Sequence, residues 1–301
     1  MALVKFKYKG KTVLCPKHDR VFKALFDDGK YVLLASFLSN ILDMDIKAKE
    51  LKVRNTEVPV ENTDGKLVRL DFRITLANGN AVNVEMQVRD EHDMGRRSLY
   101  NLAKLMQDQL NINGEYKDIC PVIAINILDF SYIKDSEDYI NRYRMKNLKT
   151  NTEMPDAEAQ EIIFIELPKL PKKAGNMKEW WLKFLAVKTE KELDMVAAQH
   201  PLFEEARDML VKISADRALR DQLRVWEKAE RDYNSSMARS KRLGMEKGMA
   251  KGRKEGRKEG KEEELVDVVK TMRANGFDGS FIAKAINHPL EQIEQILSKQ
   301  V

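Results

Sequence analysis

Residues 68–88 read VRLDFRITLANGNAVNVEMQV and set Asp71, Arg73, Glu85 and Gln87 into a stretch otherwise patterned for a β-hairpin. Side chains alternate faces along a strand. Leu70, Phe72, Ile74 and Leu76 therefore share one face, as do Val82, Val84, Met86 and Val88, and the acids fall with Arg73, Asn83 and Gln87 on the other. A three-residue turn at Asn78, Gly79 and Asn80, with positive φ at Gly79 or Asn80, predicts that Ala77 pairs with Ala81, Thr75 with Asn83, Arg73 with Glu85 and Asp71 with Gln87. A two-residue turn would set Asp71 against Met86 and mix the faces. In the three-residue register Asp71 and Glu85 are diagonal neighbours, with Cβ atoms about 7 to 8 Å apart. Their carboxylates can then reach one hard divalent cation, which would also relieve their repulsion. The same spacing fits the solvated face of an ordinary amphipathic hairpin, with Arg73 pairing Glu85 across the strands.

Elements that must position these residues surround them. KHDRVFKALF (17–26) has helical apolar spacing, and after the DDG break residues 31–42 continue as a second apolar helix. Strand signals run from 51 to 89, followed by a helix over 96–111 that ends before Gly114 and carries Leu99, Leu102, Met106 and Leu110 as a core stripe. Arg96, Arg97 and Tyr100 begin that helix, and the arginines could hold backbone phosphates or form an exposed basic helix start. Residues 121–128 and 161–170 read as further strands, PKKAGN (171–176) as a boundary, and 177–236 as helical.

Taken together, DRVFKALFDD, RLDFRI, NVEMQ, RRSLYNLAKLMQDQLNINGEYKDICPVIAINIL, FIELPKL and a glycine-periodic C-terminal segment resemble the Rpn family of recombination-promoting nucleases, also described as transposases, a branch of the PD-(D/E)XK superfamily. The resemblance covers residues 17–170 well and the remainder loosely. It implies an α/β fold with a restriction-endonuclease-like core, a mixed central sheet flanked by helices, and an all-α C-terminal extension. It also implies that Asp71 and Glu85 ligate Mg²⁺ or Mn²⁺ and that Gln87 stands where many relatives have lysine. Glutamine offers only a neutral amide, so Arg73, Arg96, Arg97 or Lys104 would have to supply the charge, or the chain would be slow. Asp19 resembles the acid contributed by the first core helix of these nucleases, and it equally suits a helix N-cap. The expected activity is metal-dependent hydrolysis of DNA phosphodiesters, with recombination or transposition as the associated role. The rival is a nuclease-like protein without turnover that binds nucleic acid or assembles with itself.

Composition bounds the rest. With 301 residues, 43% hydrophobic and 34% charged, the chain can bury a full core and hold more than one domain. The sequence divides into a nuclease-like core over 1–172, a helical region over 173–238, a basic glycine-periodic helix or tether over 239–264, and a three-helix module over 265–301. Apolar runs are too short for a membrane span, and the start lacks an apolar signal core, so a soluble cytoplasmic protein is expected. Cys15 and Cys120 give no metal framework; Cys15 reads as a buried thiol and His18 as a surface histidine rather than a shared metal pair. Of the +5 net charge, +4 falls in 239–264, where ten basic side chains face six acidic ones. There glycine recurs at 244, 248, 252, 256 and 260. A helix would present these as a slowly winding groove suited to homo-oligomer formation, although each glycine costs about 1 kcal/mol relative to alanine. Beyond it, Ser280 is expected to cap a helix and Pro289 to open another. The three helices could read DNA as a helix-turn-helix or cap an oligomer.

Overall fold

The computed structural model describes residues 5–55, 72–110 and 115–298. Asp71, the first acid of the expected pair, lies outside the described residues. Two compact units divide the chain, Met1–Arg231 and Asp232–Val301.

The first unit opens with a hairpin of β1 (Lys5–Tyr8) and β2 (Lys11–Leu14), then α1 (Asp19–Phe26) and α2 (Val32–Leu42). Strands β3 (Lys52–Asn55), β4 (Phe72–Thr75) and β5 (Ala81–Gln87) precede α3 (Met94–Gln107); β6 (Val122–Leu128), β7 (Ile140–Tyr143) and β8 (Gln160–Glu166) follow. Strands β3 to β8 form a mixed sheet in the order β3-β4-β5-β6-β8-β7, while β1 and β2 pair with each other. β5, β6 and β8 run parallel, and the outer pairs are antiparallel. Parallel neighbours need a crossover, and α3 supplies the one between β5 and β6. This is the α/β architecture expected, a mixed sheet flanked by helices.

The hairpin keeps the expected parity but shifts its register. Phe72 pairs with Val84, Arg73 with Asn83, Ile74 with Val82 and Thr75 with Ala81. Leu76 N–H donates to Asn80 O at 2.9 Å and Gly79 N–H to Leu76 O at 3.0 Å, so the three-residue loop is Ala77, Asn78 and Gly79, one residue earlier than expected. Gly79 explains the choice. Its φ is +87°, which suits the left-handed third position of such a loop, and a Cβ there would lie 2.6 Å from Cys120 Sγ. Arg73 consequently stands across from Asn83 and not Glu85.

Two layers cover the sheet. On the face of Phe72, Val84 and Met86 lie α1 and α2, joined by α4 (Met177–Ala186), α5 (Glu190–Ala197) and α6 (Pro201–Ala215). Aromatic rings knit them together: Phe26 and Phe37 centroids are 5.2 Å apart, and Trp181 lies 5.9 Å from Phe26 and 4.9 Å from Phe203. Trp181 is fully buried, so the apolar core runs without a break across residues 172–173. On the other face α3 packs Met94, Leu102 and Leu105 against Val122, Ala124, Leu128 and Phe164. Leu99, expected in that stripe, is 53% exposed. Leu105 takes its place, because the buried side of α3 runs through Met94, Ser98, Leu102 and Leu105.

In the second unit the later part of α7 (Arg217–Ala274), α8 (Gly279–Ala285) and α9 (Leu290–Ser298) close around Val269, Ile282, Ala283 and Ile293. Residues 239–264 are helical throughout, and the five periodic glycines have open space where a Cβ would sit. α7 stops where Gly276 takes φ +90° and Phe277 N–H donates to Met272 O at 3.2 Å. The cap of α8 is Asp278, whose carboxylate accepts from Phe281 N–H at 2.8 Å, not Ser280 as expected. A cap accepts from the amide three positions on, and Asp278 holds that position. No helix among the described residues is long and apolar enough to cross a membrane.

Candidate metal and nucleic-acid site

Strand alternation puts Asn83, Glu85 and Gln87 of β5 on the face that α3 covers. Asn83 and Glu85 are each 2% exposed, so the polar face of the hairpin is roofed and not solvated. Arg97 on α3 reaches down to it. Its Nη2 donates to Glu85 Oε1 at 2.8 Å and its Nη1 to Gln87 Oε1 at 3.3 Å. The guanidinium side chain is 16% exposed and the Glu85 side chain 3%, so Arg97 serves as the buried counter-charge of Glu85 and does not stand open to a phosphate. Arg73, the cross-strand partner expected for Glu85, instead meets Asp108 at the end of α3 at 2.6 Å. Its distance follows from the register, which sets Arg73 two residues short of Glu85.

Behind the ion pair lies a second polar contact. The Ser98 hydroxyl donates to Asn126 Oδ1 at 2.9 Å, and Asn126 pairs with Glu85 across β6 and β5. Asn83 Oδ1 and Asp93 Oδ1 are buried without a hydrogen-bond partner among the described residues. Asp93 is the cap position of α3, and its main-chain O accepts from Arg97 N–H at 3.0 Å. Neither residue was singled out from the sequence; Asn83 shared the polar parity of Glu85, which was the signal available.

Arg96, Tyr100 and Lys104 fall one turn apart on α3 and are all exposed, Tyr100 by 67%. They form a stripe facing away from the sheet, the reverse of Arg97. The sequence grouped the four residues; the phase of α3 on the sheet separates one from three, because Arg96, Tyr100 and Lys104 recur every fourth position along the exposed side while Arg97 stands next to the buried Ser98 and is half-buried.

Asp19 is the first residue of α1, and the cap position belongs to His18, so Asp19 is not the N-cap. The helix packs on the Val84 face, with the Phe22 ring 6.5 Å from that of Phe72, opposite the face of Glu85. Its start nevertheless stands at the carboxyl end of β5. Lys17 forms a buried ion pair with Asp129, whose N–H donates to Gln87 O at 2.9 Å. Nearby, burial pushes the Cys15 thiol up to about 11, while its Sγ donates to Val187 O at 3.4 Å. His18 is not the surface histidine expected: both ring nitrogens are buried, and desolvation, aided by Arg20, lowers it to about 4.

No cluster of three or more His, Cys, Asp or Glu side chains converges among the described residues. The donors on the roofed face are oxygens only, a carboxylate at Glu85 and amides at Asn83 and Gln87, with the Asn83 oxygen lacking a partner. Hard oxygen donors of this kind fit Mg²⁺ or Mn²⁺ and not a softer ion. A cation there would compete with Arg97 for Glu85 Oε1.

No curated protein and no solved structure matches the chain. The profile described as PD-(D/E)XK nuclease family transposase matches residues 16–240, a span that takes in α1, the β4–β5 hairpin, Glu85, Gln87 and α3. With three quarters of its length under that profile, the chain belongs to the PD-(D/E)XK nuclease family transposases.

Proposed function

We propose that the chain is a metal-dependent DNA endonuclease, with Glu85 and Asp71 as its metal-holding acids, Gln87 beside them, and recombination or transposition as its role. The observation that carries the reading is Glu85 itself, a carboxylate held 2% exposed on β5, where the parallel and antiparallel parts of a nuclease-family sheet meet, beside an amide oxygen that lacks a partner. Asp71 immediately precedes Phe72 in sequence, and Phe72 pairs with Val84, the neighbour of Glu85. A bound Mg²⁺ or Mn²⁺ supplies Lewis acidity and lowers the pKa of a coordinated water. The protein's own groups do the positioning. Arg97 holds Glu85 and Gln87 through its two terminal nitrogens and, once released from the carboxylate, would offer a fork of donors to a phosphate. Arg96, Tyr100 and Lys104 extend a basic, aromatic stripe for the backbone of the substrate. Asp19, first residue of the helix that starts at the carboxyl end of β5, is retained as a further acid that would help hold the ion. Homo-oligomer formation through the glycine-lined helix α7 completes the reading.

A second reading has its own support. Arg97 occupies the Glu85 carboxylate and glutamine replaces the family's lysine, which favours a nuclease-like protein that binds nucleic acid without turnover. Supercoiled plasmid decides between them. The nuclease reading expects nicking with Mg²⁺ or Mn²⁺ that stops on chelation and is lost in Glu85→Gln and Asp71→Asn with the fold intact by circular dichroism. Wild-type protein that binds plasmid but leaves it uncut under both ions supports the second reading, and cleavage surviving in both variants removes the site.

A further inference from the structure

Between β7 and β8 the chain leaves the sheet as a small hairpin. Met154 N–H donates to Met145 O at 3.1 Å, Asn147 N–H to Thr152 O at 2.8 Å, and Lys146 bridges Glu153 in antiparallel fashion. At its tip Asn147 Oδ1 accepts from Lys149 N–H at 2.9 Å and from Thr150 N–H at 3.1 Å, so the turn is ordered by its own hydrogen bonds. Every residue from 142 to 156 is exposed. The sequence RYRMKNLKTN alternates cations with large apolar side chains, and Leu148 at the tip is wholly exposed, at 104%.

The cations are not equally free. Arg142 meets Glu161 at 3.0 Å, and Arg144 lies between Glu161 at 3.6 Å and Glu153 at 3.8 Å. Lys146 and Lys149 have no carboxylate partner among the described residues. A projecting hairpin with two unneutralised lysines around a bare leucine tip has the complementary charge for a polyanion and an apolar wedge for its groove. Its root is carried by the sheet that carries Glu85. Tyr143 pairs with Ile162, Ile162 with Ala124, and Ala124 with Asn83, one step along the same face from Glu85. Three strand spacings, about 14 Å, separate β7 from β5, well within one turn of B-DNA at about 34 Å.

We propose that residues 142–156 form a DNA-gripping arm, with Lys146 and Lys149 on backbone phosphates and Leu148 pressed into the minor groove of the duplex that the Glu85 site would cut. The naming of DNA rests on the nuclease reading above. The test titrates the full chain against a fluorescent duplex of about 30 base pairs in EDTA, where no cleavage occurs, at several salt concentrations. The double variant Lys146→Gln with Lys149→Gln should raise Kd about tenfold and reduce the slope of log K against log salt by about 2, the value for two lost phosphate contacts. Leu148→Ser should raise Kd several-fold with the slope unchanged. All three side chains are exposed, so melting temperatures should match the wild type. Wild-type Kd and slope in all of these variants overturn the arm, as does a wild-type chain that fails to bind the duplex, an outcome pointing to a protein partner. The two proposals fail separately: arm variants with weakened binding in a chain that never cuts plasmid reject only the nuclease reading, and active protein indifferent to the arm variants rejects only the arm.

Discussion

Glu85 and Arg97, at the heart of the proposed site, form a buried ion pair on which the fold also depends. Removing one member of a buried ion pair leaves the other uncompensated, at about 3 kcal/mol or more. Arg97→Ala should therefore lower the melting temperature, and it should enlarge the stabilisation that added Mn²⁺ gives, because the cation no longer competes with a guanidinium for Glu85 Oε1. Differential scanning fluorimetry with and without Mn²⁺ reads both effects, and an unchanged metal response in the variant would count against Glu85 as a ligand. His18 makes the pH dependence specific. Its ordinary value is 6.5 and burial lowers it to about 4, so the unfolded chain binds the proton more readily in that interval. Its stabilising contribution is complete above pH 6.5 and is lost as pH falls toward 4, up to the order of 3 kcal/mol. Urea titrations at pH 7 and 4.5 should show a smaller acid loss in His18→Gln than in the wild type.

At the level of elements, α7 is the test case. Its glycines at 244, 248, 252, 256 and 260 meet nothing within 4 Å where a Cβ would sit. Gly248→Ala with Gly252→Ala should thus stiffen the helix, by about 1 kcal/mol for each, and raise ellipticity. If the stripe is the seam between copies, the same methyl groups hold the backbones apart, and sedimentation should show a shift toward monomer. Elements with strong periodicity were legible before any coordinates: α1, α2, β5, β6 and β8 fall where apolar spacing put them. The face of each described hairpin residue was legible too, since a period of two survives a register shift of two. The register itself was not, because Cys120, far along the chain, crowds Gly79 and helps fix the turn. β7 was hidden because it has only four residues and runs into the basic stretch that follows it, and the β1–β2 hairpin by lysines on strands of four residues. The partner of Glu85 was beyond reach for a different reason: Arg97 and Arg96 are neighbours in sequence, and only the phase of α3 on the sheet decides which one turns inward.

Across the molecule, helices far along the chain complete the core that the sheet begins. Ser214 accepts from Leu14 N–H at 3.0 Å, and Tyr8 donates to Asp194 at 2.9 Å, so the first hairpin is anchored to α5 and α6. The match of the family profile from residue 16 to 240 follows the same logic, since α4 to α6 are part of what the sheet folds against. Trp181 sits where these parts meet, fully buried, its indole N–H donating to Ser36 at 3.0 Å. That placement gives the protein a built-in optical gauge. In Trp180→Phe with Trp226→Phe, the remaining indole should emit in the blue while sheet and helices stay joined and move to the red in a single denaturant transition that coincides with loss of ellipticity. Two separate transitions would mean that the segment after residue 172 detaches first.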